Sequence, residues 1–261
     1  MIHKTTIINP KAKISLNVEI GPYCIIGPNV EISDNVIIQS HVNITGNTKI
    51  GKQNVFYPMS SIGSDPQDLK YKGENTKLII GNGNIIREHV TINTGTVQGG
   101  GKTIIGDNNL LMIGAHIAHD CIIGNNIVMA NNSAIAGHAI IDDFVIIGAK
   151  CGIQQFVRIG KLAMIGGMTG VSRDVIPYGV STGNRNSLNG INIIGLRRIK
   201  TKNKDIITLT EAYKEIFKTE SLNNNLSQLN NKYKDNYLVE EIIQFISKDK
   251  KRPICTPYSE Q

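Results

Sequence analysis

The sequence predicts a mainly β protein in which a parallel β-helix is followed by a small α-helical domain. Three observations predict this fold. Aliphatic residues recur every six positions, glycine or another small residue commonly follows them, and the six-residue period disappears from about residue 191. We therefore place the β-helix at residues 1–190 and the α-helical domain at residues 191–261.

The six-residue period marks side chains that point into a coil. Its first phase comprises Ile2, Ile8, Ile14, Ile20, Ile26, Ile32, Ile38, Ile44, Ile50, Phe56 and Ile62, then Ile80, Ile86 and Ile92. After a shift of one residue it comprises Ile105, Leu111, Ile117, Ile123, Met129, Ile135, Ile141, Ile147, Ile153, Ile159, Ile165 and Val171. A smaller inward position lies four residues after the first and includes Val18, Cys24, Val30, Val36, Val42, Ala115, Cys121, Ala139, Val145, Cys151 and Val157. Two inward residues in every six, with glycine at the turns, indicate a parallel β-helix.

This hexapeptide pattern resembles that of the hexapeptide-repeat acyltransferases. The resemblance implies a left-handed parallel β-helix with three flat faces, so that one coil takes about eighteen residues. It also implies a homotrimer, which suits a fold with open ends and exposed faces.

Two interruptions of the period predict loops at residues 63–79 and 94–104, which are polar and contain glycine. Loops that project from a rigid coil are natural binding elements. Beyond residue 191 the apolar residues have helical spacing instead. Three such groups are Ile206, Leu209, Tyr213, Ile216 and Phe217; Leu222, Leu226, Leu229 and Tyr233; and Val239, Ile242, Ile243 and Ile246.

The composition limits the function classes. The net charge of +7 suits an acidic partner or a phosphorylated ligand, but the aromatic content of 5% argues against nucleic acid, which needs stacking residues among the basic ones. No apolar run approaches the length of a membrane span, and the N-terminus lacks the apolar core of a signal peptide. We expect a cytoplasmic protein without an integral membrane segment.

Three of the four cysteines occupy the smaller inward position, and no CxxC pair is present. We therefore expect them to be structural rather than zinc ligands or nucleophiles.

Stacking by eighteen residues brings distant polar side chains together. It places His119 beneath Gly137 and Asp120 beneath His138, with neighbouring strands about 4.8 Å apart. The predicted cluster on one outer corner comprises His116, His119, Asp120, His138 and Gln155.

Three explanations compete for this cluster: coincidence on the surface, a metal site, and general base catalysis. Histidine can accept a proton near neutral pH, and an adjacent carboxylate can orient its ring. Attack of a hydroxyl on a thioester needs such a base and a donor for the developing oxyanion. We expect His119 to be the base, Asp120 its partner and the Gly137 backbone N–H the oxyanion donor, with no metal and no cofactor.

Longer motifs narrow the resemblance. The runs QDLKYKGE, REHVTINTGTVQGGGKT, LLMIGAHIAHD, IAHDCIIGN and NINIIGLRR resemble those of the UDP-N-acetylglucosamine acyltransferase family over essentially the whole chain. The resemblance implies transfer of a (3R)-hydroxyacyl group from acyl carrier protein to the 3-hydroxyl of UDP-N-acetylglucosamine, the first step of lipid A biosynthesis.

The same resemblance implies roles for further residues. Substrate-contacting positions correspond to Asp68, Lys70, His116, His138 and Gln155, nucleotide-binding positions to Asn192 and Arg198, and the position that limits acyl length to Gly167. The sequence departs from the family pattern at Asn93, Gln154 and Ile194. Ile194 stands where a nucleotide-contacting glutamate is usual, and a 3-amino acceptor remains an alternative to the 3-hydroxyl. A related N-acyltransferase, a non-catalytic β-helical scaffold and a metal enzyme are the rival functions.

Overall fold

The fold is a three-sided parallel β-helix followed by α-helices, seen in a computed structural model that describes residues 1–218, 222, 226, 229, 232, 233, 235–248 and 251–258. The described strands form three sheets, in which parallel pairing with the strand three places along the chain is the rule. The last two strands of the third sheet depart from it, and the final one pairs antiparallel with the strand before it. The predicted parallel β-helix is therefore confirmed.

The strands of each sheet follow in chain order. The first sheet contains β1 (Ile7–Ile8), β4 (Ile25–Ile26), β7 (Asn43–Ile44), β10 (Ser61–Ser64), β13 (Thr91–Asn93), β16 (His116–Ile117), β19 (Ala134–Ile135), β22 (Gly152–Ile153) and β25 (Gly170–Val171). The second contains β2 (Lys13–Ile14), β5 (Val30–Ile32), β8 (Asn47–Ile50), β11 (Lys77–Ile80), β14 (Lys102–Ile105), β17 (Ile122–Ile123), β20 (Ile140–Ile141) and β23 (Arg158–Ile159). The third contains β3 (Glu19–Ile20), β6 (Ile37–Ile38), β9 (Val55–Phe56), β12 (Ile85–Ile86), β15 (Leu110–Leu111), β18 (Val128–Met129), β21 (Ile146–Ile147), β24 (Met164–Ile165), β26 (Gly179–Thr182) and β27 (Ser187–Ile191).

The register follows the sequence period. Ile117 pairs with Ile135, and Ile135 with Ile153, so one coil takes eighteen residues in this part of the chain. The inward aliphatic side chains are almost completely buried along the coil, whereas Ile2 at its open end is 49% exposed. Burial of such a side chain contributes about 1.5–3 kcal/mol, so the stacked coils form the core without aromatic packing.

Polar side chains also enter the coil at several of the smaller inward positions, which the sequence pattern did not indicate, and three of them are asparagines. Asn54, Asn84 and Asn109 are buried and form a ladder. Asn54 Oδ1 accepts from the backbone and side-chain nitrogens of Asn84, both at 2.9 Å, and Asn84 Oδ1 accepts from the Asn109 backbone at 2.9 Å. The amide groups thus satisfy backbone donors and acceptors where successive coils turn.

Replacing Asn84 with alanine is expected to lower the free energy of unfolding by about 2–5 kcal/mol, because it leaves buried partners of the ladder without hydrogen bonds. Urea denaturation followed by circular dichroism measures the change. The exposed Asn29 gives a matched control, and Asn29→Ala is expected to change stability by less than about 0.5 kcal/mol. Equal stability of Asn84→Ala and the original protein would contradict the role of the ladder.

The described helices follow the last strand. They are α1 (Ile193–Arg198), α2 (Asn203–Ile216) and α3 (Tyr237–Lys248), and Leu222, Leu226 and Leu229 are also helical. In the described part of the chain, no α-helix combines the length and apolar character needed to cross a lipid bilayer.

Arg158, in a buried ion pair of the coil, contacts α3. Arg158 Nε lies 2.7 Å from Asp174 Oδ2, and the Arg158 side chain donates to the Phe245 carbonyl oxygen at 3.1 Å. The guanidinium also lies over the Phe245 ring, 4.3 Å from its centroid. These contacts fix the helix beside the second sheet.

Candidate active site

The corner between the first and second sheets carries His119, Asp120 and His138 of the predicted cluster. Asp120, His138 and Phe156 occupy equivalent left-handed turn positions, with φ values of 60°, 62° and 65°. The backbone N–H of His138 donates to the His119 carbonyl oxygen at 3.0 Å, and that of Phe156 to the Gly137 carbonyl oxygen at 3.1 Å. These bonds stack the three turns directly above one another, as the eighteen-residue coil requires.

His119 and Asp120 form a buried hydrogen-bonded pair. Nδ1 of His119 lies 2.8 Å from Oδ2 of Asp120, and the two side chains are 4% and 0% exposed. Because a carboxylate oxygen only accepts, this bond places the hydrogen on Nδ1 and leaves Nε2 as the acceptor of the ring. The pair therefore has the arrangement of a general base and its orienting carboxylate.

The 94–104 segment covers the Asp120 carboxylate, which the sequence placed on the outer surface. Thr96 donates to Asp120 from its backbone nitrogen at 2.7 Å and from its hydroxyl at 2.6 Å. The Thr103 hydroxyl accepts from the Asp120 backbone at 2.8 Å. A Cβ at Gly99 would lie 2.0 Å from the Asp120 Cγ, so only glycine allows this approach. Thr96 and Gly99 were missed because their contacts depend on the path of the loop.

Gly137 lies against the His119 ring. A Cβ added at Gly137 would lie 2.5 Å from His119 Cε1 and 2.8 Å from Nε2, so a larger residue would displace the ring. Among the residues that the structure describes, the Gly137 N–H has no hydrogen-bond acceptor. An unused donor beside a histidine base is what stabilisation of an oxyanion requires.

His138 is the second histidine of the corner. Its Nδ1 lies 3.8 Å from Asp120 Oδ2, which is too long for a hydrogen bond, and its ring meets that of His119 edge-to-face with 5.1 Å between centroids. On its other side it stacks on Phe156 with 4.5 Å between centroids. Burial lowers the pKa of His138, opposed by the nearby Asp120 charge, so the ring is neutral at physiological pH.

A cleft of about 390 Å³ opens beside this corner. Its lining residues include Asp68 and Lys70 from the 63–79 segment together with Asp120, His138 and Phe156. His119 lies behind this wall, against Gly137. The cleft therefore joins the loop residues expected to contact substrate with the histidine corner.

Other predicted site residues lie further from this centre. His116 is on the first sheet, where its Nδ1 lies 2.7 Å from the Thr91 hydroxyl, and Gln155 is exposed at the corner. Asn192 caps α1, because its side-chain oxygen accepts from the Gly195 backbone at 2.9 Å. Arg198 is exposed in the last turn of that helix.

Gly167 is exposed, and a Cβ added there would meet Ala149 atoms at no less than 3.5 Å. The single chain places neither Asn192 nor Arg198 among the residues that line the cleft.

The three positions that depart from the family pattern have different settings. Asn93 is buried, and its side-chain nitrogen donates to the Asp65 carbonyl oxygen at 2.8 Å. Gln154 and Ile194 are exposed. Asn93 thus holds the start of the 63–79 segment, whereas the other two lie on the surface.

The same corner has the spacing of a possible cation site. His119, Asp120 and His138 each offer a ligand atom within 4.8 Å of the others. The Asp120 carboxylate, however, already accepts from Thr96 and His119, and these bonds favour the base and its carboxylate over a metal.

The cysteine beside the pair is not a competing nucleophile. Cys121 is completely buried, and burial raises its pKa to about 12, so the thiolate is absent at neutral pH.

The free energy of unfolding is expected to fall when the pH drops below about 6.5, the ordinary pKa of histidine. Burial lowers the pKa of His116 below that value, and the nearby His119 lowers it further. The unfolded chain then takes up protons at a pH where the folded chain does not, and the loss stops below the lowered pKa. Urea denaturation between pH 5 and 8 measures this slope. His116→Gln is expected to reduce it, and an unchanged slope would contradict the assignment.

Comparison with known proteins agrees with this geometry. A family model described as UDP N-acetylglucosamine O-acyltransferase, domain 2, matches residues 174–255, and a bacterial transferase hexapeptide model matches residues 102–137. The chain is 44% identical over 257 residues to the acyl-[acyl-carrier-protein]–UDP-N-acetylglucosamine O-acyltransferase of Rhizobium rhizogenes, covering 98% of this chain and 95% of that protein. The chain belongs to the UDP-N-acetylglucosamine O-acyltransferase family.

Solved structures named for this family superimpose closely on the chain. The Francisella novicida UDP-N-acetylglucosamine acyltransferase is 36% identical, with 98% of this chain and 94% of that one covered at a TM-score of 0.95. The Campylobacter jejuni UDP-N-acetylglucosamine acyltransferase is 35% identical, with 99% and 100% covered at a TM-score of 0.93. The family resemblance read from the sequence motifs is thus confirmed.

Proposed function

We propose that the protein transfers a (3R)-hydroxyacyl group from acyl carrier protein to the 3-hydroxyl of UDP-N-acetylglucosamine, the step that begins lipid A biosynthesis. Family membership supports the substrates. The observation that carries the chemistry is the 2.8 Å bond between His119 Nδ1 and Asp120 Oδ2 beside the unused Gly137 N–H.

In this proposal, His119 Nε2 takes the proton from the sugar 3-hydroxyl while that oxygen attacks the thioester carbonyl carbon. The Gly137 N–H donates to the oxyanion that forms on the carbonyl oxygen. The carbon–sulfur bond then breaks, and the imidazolium returns its proton to the departing sulfur. The products are the O-acylated sugar nucleotide and the free thiol of the carrier protein. Asp120 stabilises the imidazolium throughout.

The remaining site residues are proposed to bind substrate. Asp68, Lys70 and His138 line the cleft, and we propose that they contact the sugar nucleotide or the acyl group. His116 and Gln155 are proposed to extend this contact from positions at its border.

Asn192 and Arg198 are proposed to bind the nucleotide and its phosphates, for which a guanidinium is well suited. Gly167 is proposed to admit a longer acyl chain, since it presents no side chain. Asn192 and Arg198 do not line the cleft of one chain. The nucleotide-binding role proposed for them therefore depends on the proposed homotrimer, in which a neighbouring subunit supplies residues to the site. We propose that the reaction takes place in the cytoplasm.

The test is direct. Purified protein is incubated with UDP-N-acetylglucosamine and (3R)-hydroxyacyl carrier proteins of graded chain length, and the products are identified by mass spectrometry. An O-acylated sugar nucleotide is the expected product. A parallel reaction with the 3-amino sugar nucleotide distinguishes the two acceptors, and the absence of any acylated product with either acceptor would overturn the proposal.

A further inference from the structure

The C-terminal segment of the chain is fixed beside the cleft. Ile254 forms a parallel bridge with Asp174, whose backbone N–H donates to the Pro253 carbonyl oxygen at 2.9 Å. The Cys255 N–H donates to the Asp174 carbonyl oxygen at 2.7 Å, and its side chain is completely buried. Residues 251–256, here called the tail segment, are thus held against the coil at Asp174, whose carboxylate pairs with Arg158.

The start of the tail segment reaches the histidine corner. Arg252 Nε donates to the Gln155 carbonyl oxygen at 3.0 Å. Lys251 Nζ lies 5.8 Å from the centroid of the Phe156 ring, which in turn stacks on His138. Lys251 also lines the cleft, together with Lys70. Two ammonium groups that lie far apart in the sequence therefore share one opening.

The charges of the cleft favour an anionic ligand at this opening. Within the cleft, Arg158 pairs with Asp174, and Thr96 donates to Asp120. The exposed rim carries Lys70 and Lys251, whereas the half-buried Asp68 accepts from the Lys70 backbone N–H at 2.9 Å. Two flexible ammonium groups beside one carboxylate suit a phosphate group, which carries several acceptor oxygens.

We propose that Lys251, positioned by the tail segment, is a phosphate-binding residue of the cleft that acts with Lys70 beside the histidine corner. This inference rests on the proposed function, because both substrates of that reaction carry phosphate. One source is the diphosphate of the sugar nucleotide, and the other is the phosphodiester of the pantetheine arm that bears the acyl group. Burial is the main cause that lowers the pKa of His138, and the positive charge of Lys251 adds a smaller effect in the same direction.

Steady-state kinetics of Lys251→Gln test the assignment. The KM for whichever substrate carries the bound phosphate is expected to rise about 10-fold, with kcat changed less than about twofold, as for loss of one charge-assisted contact in binding. Lys251→Arg is expected to restore the KM to within about threefold. Lys11→Gln provides a control with the same charge change at the exposed first coil.

The substrate whose KM changes distinguishes the two sources of the bound phosphate. A rise confined to UDP-N-acetylglucosamine assigns the diphosphate, and a rise confined to the acyl carrier protein assigns the pantetheine phosphodiester; either result, or a rise in both, supports the proposal. KM values within twofold of the original for both substrates, or a fall in kcat alone, would overturn it.

If the original protein forms no acylated product, the proposed function itself fails. Isothermal titration with UDP-N-acetylglucosamine and with inorganic pyrophosphate then tests Lys251 without turnover. Weaker binding of either probe to Lys251→Gln than to Lys11→Gln supports a phosphate site, and equal binding of both probes overturns it.

Discussion

Replacement of His119 with alanine is expected to lower kcat by about 10²–10⁴-fold, because the variant loses the proposed base for the acceptor hydroxyl. The His119 ring is hydrogen-bonded to the Asp120 carboxylate at 2.8 Å, whereas the nearest ring nitrogen of His138 lies 3.8 Å from that carboxylate. Rates with saturating acyl carrier protein and UDP-N-acetylglucosamine, followed by mass spectrometry, measure the loss.

His41→Ala makes the same chemical change at a different place. His41 is exposed in the N-terminal coils, where its ring lies against Tyr23. This control is expected to keep kcat within about twofold of the original. His138→Ala is expected to have a smaller effect on kcat than His119→Ala. If His138→Ala removed turnover while His119→Ala retained it, the base would be His138.

The regular part of the fold could be predicted from the sequence because every coil repeats the same constraint. An inward aliphatic residue must recur every six positions, and Ile117, Ile135 and Ile153 then pair in register. The stacking of Asp120 beneath His138 follows from the same periodicity and needs no knowledge of loops. Side chains set by the backbone repeat are therefore predictable from spacing alone.

Contacts made by the interruptions could not be predicted in this way. Thr96 holds the Asp120 carboxylate and Gly99 passes over it, but both lie where the period lapses. Their positions depend on the three-dimensional path of a loop, so no spacing rule places them. The burial of the Asn54 side chain could not be predicted for a different reason. An amide at an inward position is favourable only when its neighbours complete the hydrogen-bonded ladder.

The position of the tail segment could not be predicted from the sequence either. Lys251 is more than 100 residues away in sequence from His138, and it shares no periodicity with the coil. The bridge between Ile254 and Asp174 and the bond from Arg252 to the Gln155 carbonyl oxygen bring it to the cleft. The charge balance of the sequence indicated an anionic ligand without locating Lys251, the lysine proposed to bind it.

The second large effect is expected for Gly137→Ala. The new methyl group would lie 2.5 Å from His119 Cε1, a distance that side-chain carbons do not adopt, so the ring must move. Moving the ring breaks its 2.8 Å bond to Asp120 and removes Nε2 from the acceptor hydroxyl. We expect kcat to fall about 10²–10³-fold, because displacement of the proposed base and of the proposed oxyanion donor would both reduce stabilisation of the transition state.

Stability should change little, because the displaced group is one side chain at the corner rather than the aliphatic core. Gly152→Ala is the matched control, since a Cβ at Gly152 meets no atom within 4 Å. Thermal unfolding and kcat are measured for both variants. Full activity of Gly137→Ala would contradict the requirement for a residue without a side chain beside His119. An equal loss of activity in Gly152→Ala would indicate a general effect of an added methyl group on the coil. The two substitutions add the same methyl group. A loss of kcat in Gly137→Ala alone would therefore show that the reaction rate depends on the close approach of the His119 imidazole to the next coil.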